Sequence, residues 1–321
     1  MKAIYYEKYG TPDVFELREV EKPTPGANQV LIKVKAASVN SWDYDRLTGS
    51  PRIYRLLHGL FKPRINIPGS DVAGIVEKVG NSVTKFKPGD EVFGDLCEGG
   101  WSTFAEFVCA NENELIIKPG FVTFEEAASI PQAGGMAKIG IYDYKEIKPG
   151  DKVLINGAGG GVGSFAIQIA KSLGAEVTAV DSADKADFMC SLGADHVIDY
   201  KTENYTKCGK EFDLILDPVA HYSPSDYKKV LTPSGRYLMI GGTVSAILKL
   251  VFIGSLISDK KGKQLGMLAH KPNKGLDKIL ELIESGKVKP VIDKVYPLSE
   301  TADALKYIGE GRVKGKLIVK I

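Results

Sequence analysis

A run of seven mostly small residues is the part of the sequence with the clearest chemical meaning. The segment Gly157-Ala158-Gly159-Gly160-Gly161-Val162-Gly163 follows an apolar stretch and opens a helical pattern. Ala158, Gly160 and Gly163 occupy the small positions of a G-x-G-x-x-G motif, which permit a tight turn, close approach of a pyrophosphate and close helix–strand packing. A helix N-terminus also offers N–H groups to phosphates. We therefore predict a dinucleotide site formed by Gly157, Gly160, Gly161, Val162 and Gly163.

A second group of polar residues stands where the adenosine ribose of such a dinucleotide is expected. Asp181 comes 18 residues after Gly163, at the end of the next apolar segment. A carboxylate there accepts hydrogen bonds from a ribose 2′-OH, which favours NADH, and repels a 2′-phosphate. Ser182, Lys185 and Tyr200 could instead form a 2′-phosphate site, which favours NADPH. The alternatives are a solvated Lys185 and a core Tyr200, so the sequence leaves NADH and NADPH both open.

Two further apolar segments end in residues suited to hold a cofactor. Asp217 ends one of them, and Val219 follows it in the stretch Pro218-Val219-Ala220. Gly241, Gly242 and Thr243 end the other segment, where their backbone could hold a carboxamide. Because ligands bind at the carboxyl ends of parallel strands, we expect both segments to border the cofactor.

The hydrophobic pattern of the chain changes near residue 125. In the segment VLIKVKAASV, Ile32 and Val34 alternate with lysines, and the first 120 residues resemble short strands separated by turns. After residue 125, apolar strands alternate with helices, which predicts a doubly wound parallel sheet. The predicted strands are Val153–Ile155, Val177–Val180, His196–Ile198, Leu214–Asp217 and Tyr237–Ile240, and the predicted helices include Val162–Leu173 and one bearing Leu276, Ile279, Leu280 and Ile283.

Composition narrows the function classes. The 321 residues carry a net charge of +2 with acids and bases interspersed, which gives no reason to expect nucleic acid as a partner. The apolar run Val244–Ile257 is about 14 residues long, short of the roughly 20 that span a bilayer. We expect either a buried helix or pocket wall, or a membrane-touching or quinone-facing lid. The cysteines Cys97, Cys109, Cys190 and Cys208 form no CxxC pair, and we expect a reducing cytoplasm.

Four stretches together resemble the medium-chain dehydrogenase/reductase superfamily, in its quinone oxidoreductase-like branch. They are AASVNSWDYDRLTG (36–49), IPGSDVAGIVEKVG (67–80), VLINGAGGGVG (153–163) and GKLIVKI (315–321). The resemblance implies a Rossmann-type sheet inserted into a GroES-like β-barrel domain, and a dimer or tetramer, of which we expect the homodimer. We place the GroES-like domain at 1–124, the Rossmann domain at 125–265 and the return to the first domain at 266–321.

Relatives with zinc hold it with a cysteine, a histidine and a further cysteine. Alignment of the motifs puts Asn40, Ser70 and Gln132 at these positions, and none provides a thiolate or an imidazole. The cysteine cluster of a structural zinc site is also missing, because Cys97 and Cys109 stand 12 residues apart. We therefore expect no metal.

Without a metal, the hydride acceptor must itself be electrophilic. Quinones and α,β-unsaturated carbonyls meet this condition, and the protein then orients cofactor and substrate. The resemblance places Asn40 near the nicotinamide ribose and substrate and a basic residue, here Lys316, near the cofactor. Tyr44 could donate to the developing oxyanion, and Asp43 is the third candidate. The alternatives are a packing Tyr44, a backbone acceptor at Asp43 and a surface Lys316.

The predicted function is NAD(P)H-dependent reduction of a small electrophile by a soluble homodimer without stable membrane insertion. Enal or enoyl-thioester reduction, and a silent cofactor-binding protein of the same fold, remain alternatives. The basic segment PRIYRLLHGLFKPRIN (51–66) could contact a membrane or an acidic partner, or form a flap beside the site. Trp42 and Trp101 could line an apolar pocket or belong to the core.

Overall fold

The chain divides into two units. The computed structural model describes residues 1–51, 55–259 and 261–321. The first unit comprises Met1–Gln132, Pro272–Leu276 and Val291–Ile321, and the second comprises Ala133–Lys271 and Asp277–Pro290.

The described residues contain strands in both units. They are β1 (Lys2–Tyr5), β2 (Glu16–Glu19), β3 (Gln29–Val39), β4 (Asp71–Val79), β5 (Glu91–Asp95), β6 (Phe107–Asn111), β7 (Ile116–Ile117), β8 (Lys152–Asn156), β9 (Glu176–Asp181), β10 (His196–Asp199), β11 (Phe212–Asp217), β12 (Leu231–Met239), β13 (Gln264–Met267), β14 (Ile292–Pro297) and β15 (Lys316–Lys320).

Helices connect and cover these strands. They are α1 (Ser41–Thr48), α2 (Arg55–His58), α3 (Phe124–Ser129), α4 (Pro131–Lys138), α5 (Gly161–Ser172), α6 (Ala186–Ser191), α7 (Pro224–Lys229), α8 (Val244–Lys249), α9 (Ser255–Ile257), α10 (Leu276–Glu284) and α11 (Thr301–Gly309). A π-helical turn, Leu250–Gly254, joins α8 to α9. Among the described residues, no helix has the length and apolar character needed to cross a bilayer.

The first unit is built mainly from antiparallel strands. Its larger sheet has the order β14-β15-β3-β4-β5-β7, with β6 paired to β3, and β1 pairs with β2. Along β3, Ile32, Val34 and Ala36 are buried while Lys33 is exposed, as the alternating pattern predicts. The strand therefore presents one apolar face to a core that includes Val72, Val92 and Val108.

The second unit contains one parallel sheet. Its order is β10-β9-β8-β11-β12-β13, and every pair in it is parallel. Relative to the unit's first strand, this is the 3-2-1-4-5-6 order of dinucleotide-binding folds. The predicted Rossmann-type sheet is confirmed, and β8, β9 and β11 end beside one another at the edge where such folds bind ligands.

The sequence predicted most strands of this sheet but missed the start of β12 and the whole of the edge strand β13. β12 begins at Leu231, six residues before the predicted start, because Pro233 and Gly235 within it resemble a turn. β13 was not predicted at all, since its four residues QLGM are too few to show a period. The predicted helix at Leu276 spans Leu276–Glu284.

The unit boundaries differ from the predicted domain limits of 1–124, 125–265 and 266–321. Helix α3 packs on β3 and β4, which keeps residues up to Gln132 in the first unit. Residues Asp277–Pro290 join the second unit, where Gln168 on α5 donates to the Lys289 carbonyl (3.0 Å) and accepts from the Lys289 amide (2.8 Å). This pair of bonds fastens the chain after α10 to the Rossmann helix.

Candidate functional site

The glycine turn joins β8 to α5 in the second unit. Gly157 has φ +67°, a conformation that favours glycine. A Cβ at Gly163 would lie 2.4 Å from the Ala158 carbonyl oxygen, so only glycine permits this close packing of helix on turn. A Cβ at Gly160 would meet only the Gly157 carbonyl, at 3.4 Å. The space above Gly160 and the first amides of α5, which have no partner within the helix, fit a pyrophosphate.

Asp181 and Lys185 form a buried ion pair behind this turn. The Lys185 Nζ lies 3.2 Å from Asp181 Oδ1, and the Gly159 amide donates to Asp181 Oδ2 at 3.0 Å. Lys185 is only 4% exposed, so the solvated alternative for this lysine is wrong. A Cβ at Gly159 would come within 2.5 Å of the Lys185 side chain. A side chain at Gly159, which the motif treats as variable, would thus displace the Lys185 side chain from its present position.

Ser182 and Tyr200 lie beside the ion pair. Ser182 is 7% exposed, and its amide donates to Asp181 Oδ1 at 2.8 Å. The Tyr200 amide donates to the Asp181 carbonyl at 3.3 Å, and its side chain is 47% exposed rather than part of the core. The four predicted ribose-end residues are therefore brought together at the ends of β9 and β10.

Asp217, at the end of β11, is enclosed by donors. Its Oδ1 accepts from the Asn156 side chain (2.8 Å) and from the amides of Val219 (2.9 Å) and Ala220 (2.7 Å). Its Oδ2 accepts from the hydroxyls of Tyr205 (3.3 Å) and Tyr237 (3.0 Å). The carboxylate is fully buried. It shapes the turn after β11 by binding the amides of Val219 and Ala220.

This turn meets the end of the next strand and the glycine turn. A Cβ at Gly241 would lie 2.9 Å from the Pro218 carbonyl oxygen, and one at Gly242 would lie 2.9 Å from the Ala220 Cβ. A Cβ at Gly157 would be 3.1 to 3.2 Å from Pro218 and Val219. Thr243 caps α8 by accepting from the Ala246 amide at 3.2 Å. The predicted cofactor-binding residues of the second unit thus lie along one edge of its sheet.

The first unit holds a separate cluster of buried charges. Lys316 on β15 donates to the Asn40 side-chain oxygen and lies 3.7 Å from Asp71 Oδ2. The Asn40 amide nitrogen donates to the same Asp71 oxygen at 3.0 Å, and so does Ser38 at 2.7 Å. Lys316 is 3% exposed, so the surface alternative is wrong. Both ends of the Asn40 amide are therefore held in one orientation.

Burial dominates the electrostatics of this cluster. It raises the pKa of Asp71 to about 6, against the nearby Lys316 charge, and lowers the pKa of Lys316. Burial also raises the pKa of Asp43 to about 7. At the start of α1, Asp43 Oδ2 accepts a hydrogen bond from the backbone N–H of Asn40 at 2.8 Å. No hydrogen-bond partner is found for Asp43 Oδ1 in the described chain. Asp43 thus makes the backbone contact that was its alternative role.

Three aromatic candidates of the first unit, Tyr44, Trp42 and Trp101, pack against neighbouring side chains. Tyr44 packs on α11, where a Cβ at Gly309 would lie 2.7 Å from its ring, in a cluster with Leu47 and Leu305. This contact matches the packing alternative for Tyr44. Trp42 and Trp101 have ring centroids 5.5 Å apart, and Trp101 is largely buried. The structure thus groups Asn40, Asp43 and Lys316 but gives Tyr44 a core contact.

Comparisons with known proteins match the whole chain. The alcohol dehydrogenase GroES-like domain model matches residues 26–120, the alanine dehydrogenase/PNT C-terminal domain model 124–220 and the zinc-binding dehydrogenase model 192–319. The chain is 31% identical to a chloroplastic quinone-oxidoreductase homolog of Spinacia oleracea, over 100% of this chain and 98% of that protein. It belongs to the medium-chain dehydrogenase/reductase superfamily, in the quinone oxidoreductase-like branch.

Two other proteins of this superfamily agree with the assignment. The NADPH-dependent alkenal/one oxidoreductase of Arabidopsis thaliana chloroplasts is 33% identical over 99% of this chain and 79% of that protein. The structure of the quinone oxidoreductase from Coxiella burnetii superposes with a TM-score of 0.89 at 31% identity, covering 100% of this chain and 99% of that one. The resemblance stated from the four motifs is confirmed, and the chain is an oxidoreductase of this superfamily.

Sequence reasoning missed three residues of this medium-chain dehydrogenase/reductase site. Gly159 closes against the Asp181–Lys185 pair, Asn156 holds Asp217, and Asp71 holds Lys316 and Asn40. Each stood within a segment that had been singled out. Asp71 was detectable as a charge at the start of an otherwise apolar strand pattern, and Asn156 as a polar residue at a strand end. Their partners Asp217 and Lys316 were singled out, but each lies at least 61 residues away in sequence, so the pairing itself gave no signal.

Proposed function

We propose that this protein transfers hydride from NAD(P)H to a quinone or an α,β-unsaturated carbonyl, without a catalytic metal. The proposal rests on the residues that this chain has at the positions where zinc-holding relatives have their metal ligands. Asn40 and Ser70 stand at two of those positions in the first unit, and Asn40 is engaged by Lys316 and Asp71. Neither Asn40 nor Ser70 offers a thiolate, an imidazole or a carboxylate, the ligands that zinc prefers. An acceptor that needs no Lewis acid fits these residues.

The relatives support both acceptor classes. One is named a quinone-oxidoreductase homolog and another an NADPH-dependent alkenal/one oxidoreductase. In both acceptors, hydride adds to carbon and the electron pair moves to a carbonyl oxygen, which then takes a proton from solvent or a nearby hydroxyl. The same orienting site serves both reactions.

The reduced nicotinamide supplies the hydride when the dinucleotide is bound. The glycine turn and the first amides of α5 would hold the pyrophosphate, and the backbone of Gly241 and Gly242 would hold the carboxamide. Asp217 fixes the turn at Val219. Asn40 has one amide hydrogen left after its bond to Asp71. We assign that donor to the ribose or to the developing oxyanion.

The first experiment measures binding and turnover. NADH and NADPH are titrated separately, and their oxidation is followed at an absorbance specific for the reduced ring with quinones, enals and simple aldehydes. We expect tight binding, turnover with quinones or enones, and none with simple aldehydes. Gly160→Val should abolish binding, whereas Gly120→Val, whose Cβ also meets open space at an ordinary φ, should not. Failure of both nucleotides to bind at millimolar concentration would remove the proposal.

We propose that the Asp181–Lys185 pair sets the choice between the two nucleotides. In Lys185→Ala, the Asp181 carboxylate loses its cation and should repel a 2′-phosphate. We expect NADPH affinity to fall roughly tenfold more than NADH affinity, since a charge-assisted hydrogen bond contributes about 1.5–3 kcal/mol. Lys201→Ala removes an exposed neighbouring lysine and should change the two affinities equally. Equal losses in Lys185→Ala would contradict this role.

We further propose a cytoplasmic homodimer. The four cysteines are free, as a reducing compartment maintains them. In the second unit, β13 pairs only with β12 among the described strands, and exposed apolar residues line the adjacent helical run from α8 to α9. Both features suit a second copy of the chain. Cell fractionation tests the compartment.

A further inference from the structure

The basic segment 51–66 has no part in the proposed reaction. It carries Arg52, Arg55, Lys62 and Arg64 but no aspartate or glutamate. We call the stretch from Arg55 to Arg64 the basic loop; Arg52 lies outside the described residues. The loop belongs to the first unit.

The basic loop is fastened to the unit beneath it. The Tyr9 hydroxyl donates to the Gly59 carbonyl at 2.6 Å. Arg55 donates to the Gly49 carbonyl at 3.1 Å, and its guanidinium lies 4.4 Å from the centre of the Tyr9 ring. Arg46 lies 3.0 Å from the His58 ring nitrogen. These contacts define the loop's conformation and leave its outer side chains in solvent.

Large apolar side chains occupy that outer side. Phe61 is 88% exposed, Leu56 62% and Leu60 54%. Single exposed apolar residues are common on protein surfaces, but three within six residues form a patch. The exposed side chains of Lys62 and Arg64 follow directly. Apolar and cationic groups therefore share one short, anchored loop.

We propose that the basic loop docks this protein on the surface of an anionic lipid bilayer. Apolar side chains at the tip would enter the boundary between headgroups and acyl chains, while the cations would meet lipid phosphates. A second copy of the chain is a poorer occupant, because it would bring two acid-free basic loops together. Docking is peripheral and reversible. It is independent of the reductase activity, although it would place the enzyme where lipophilic quinones and enones dissolve.

The experiment is sedimentation of the full chain with large unilamellar vesicles. One set contains phosphatidylcholine alone and the other equal parts of phosphatidylcholine and phosphatidylglycerol. We expect binding to the anionic vesicles that weakens as salt rises, and little binding to the neutral ones. Nucleotide affinity and thermal unfolding of every variant are measured in parallel to verify folding.

Matched variants separate docking from general charge attraction. Lys62→Glu/Arg64→Glu and the control Lys78→Glu/Lys87→Glu both take the net charge from +2 to −2, and all four residues are exposed. The loop variant should lose at least roughly tenfold in vesicle affinity, and the control much less. Phe61→Ser should weaken binding, whereas Phe121→Ser, at a 45% exposed phenylalanine of the same unit, should not.

Several results would overturn the proposal. Equal losses in the loop and control charge variants would show attraction by net charge alone. No wild-type binding to anionic vesicles at low salt would remove the bilayer as occupant. A lipid-free shift to a smaller species in Phe61→Ser would instead assign the loop to a contact between copies. Salt-dependent capture by polyglutamate but not by vesicles would indicate an acidic protein partner. Each outcome leaves the nucleotide-binding result unaffected.

Discussion

At the residue scale, the buried charges of the first unit are governed by desolvation. Lys316 and Asp71 face each other, yet burial lowers the pKa of the lysine and raises that of the carboxyl. The attraction between the two groups is therefore smaller than the free-energy cost of removing them from water. A pair of this kind adds little stability, but it fixes the Asn40 amide between a donor and an acceptor. Its value is in orienting the residue that we place beside the substrate.

Asp43 gives a prediction on pH. Its pKa is about 7 in the folded chain and near 3.9 when unfolded, so the folded state binds the extra proton between those values. The stabilisation of the folded state by this proton is complete below about pH 4 and is lost as the pH rises to about 7. In Asp43→Asn this loss should vanish. The free energy of unfolding of the wild type, relative to the variant, should fall by up to about 1.4 kcal/mol per pH unit in this window.

Urea unfolding at a series of pH values measures this difference. Asp13→Asn is the control, because Lys306 lowers the pKa of exposed Asp13 and gives the opposite sign. Its effect should appear only below the ordinary aspartate pKa, as stability lost on acidification. A wild-type-minus-Asp43→Asn difference that is flat from pH 4 to 7 would contradict a proton held on Asp43.

Among the secondary-structure elements, β11 contributes to the site through the conformation of the turn that follows it. Asp217 accepts five hydrogen bonds there and holds Ala220 at φ +55°, a conformation unusual for a residue other than glycine. Asp217→Asn keeps the size but removes the charge that these donors face. We expect the free energy of unfolding to fall by about 1–3 kcal/mol and nucleotide affinity to fall with the altered turn.

Asp199→Asn is a matched control, because Asp199 ends the parallel strand β10 but is only partly buried. It should cost less than about 1 kcal/mol. Denaturant unfolding and nucleotide titration on both variants provide the test. If Asp217→Asn were as stable as Asp199→Asn and bound nucleotide normally, the turn would not depend on the carboxylate.

The sequence predicts those parts of the parallel sheet and of the candidate site that depend on neighbouring residues in the chain, and it misses those that depend on distant partners. The β8–α5 junction was predictable because turn, phosphate approach and helix packing all demand small residues in consecutive positions. The start of β12 was not, since Pro233 and Gly235 lie at an irregularity where the pairing with β11 passes from Leu231 directly to Arg236. Lys316 was expected near the cofactor, but its partner Asp71 could be identified only in the folded unit, where β15 and β4 both pair with β3.

At the scale of the whole molecule, the exposed apolar residues raise the question of assembly. The helical run from α8 to α9 buries Leu250 and Gly254 but leaves a line of large side chains in solvent. They are Leu248, Val251, Phe252, Ile253 and Leu256. The run packs beside β13, whose outer edge has unpaired backbone groups among the described strands.

A two-fold axis at this edge would pair β13 with its own copy and cover both apolar faces. We therefore expect sedimentation equilibrium at micromolar concentration to give twice the chain mass of 34.8 kDa. Phe252→Ser/Leu256→Ser should shift the protein towards monomer by at least roughly tenfold in dissociation constant, since each side chain would lose about 1.5–3 kcal/mol of burial. Phe61→Ser in the basic loop should leave the mass unchanged. A wild-type monomer, or a dimer indifferent to Phe252→Ser/Leu256→Ser, would mean that another surface or no surface joins two chains, and the apolar run would then need a different occupant.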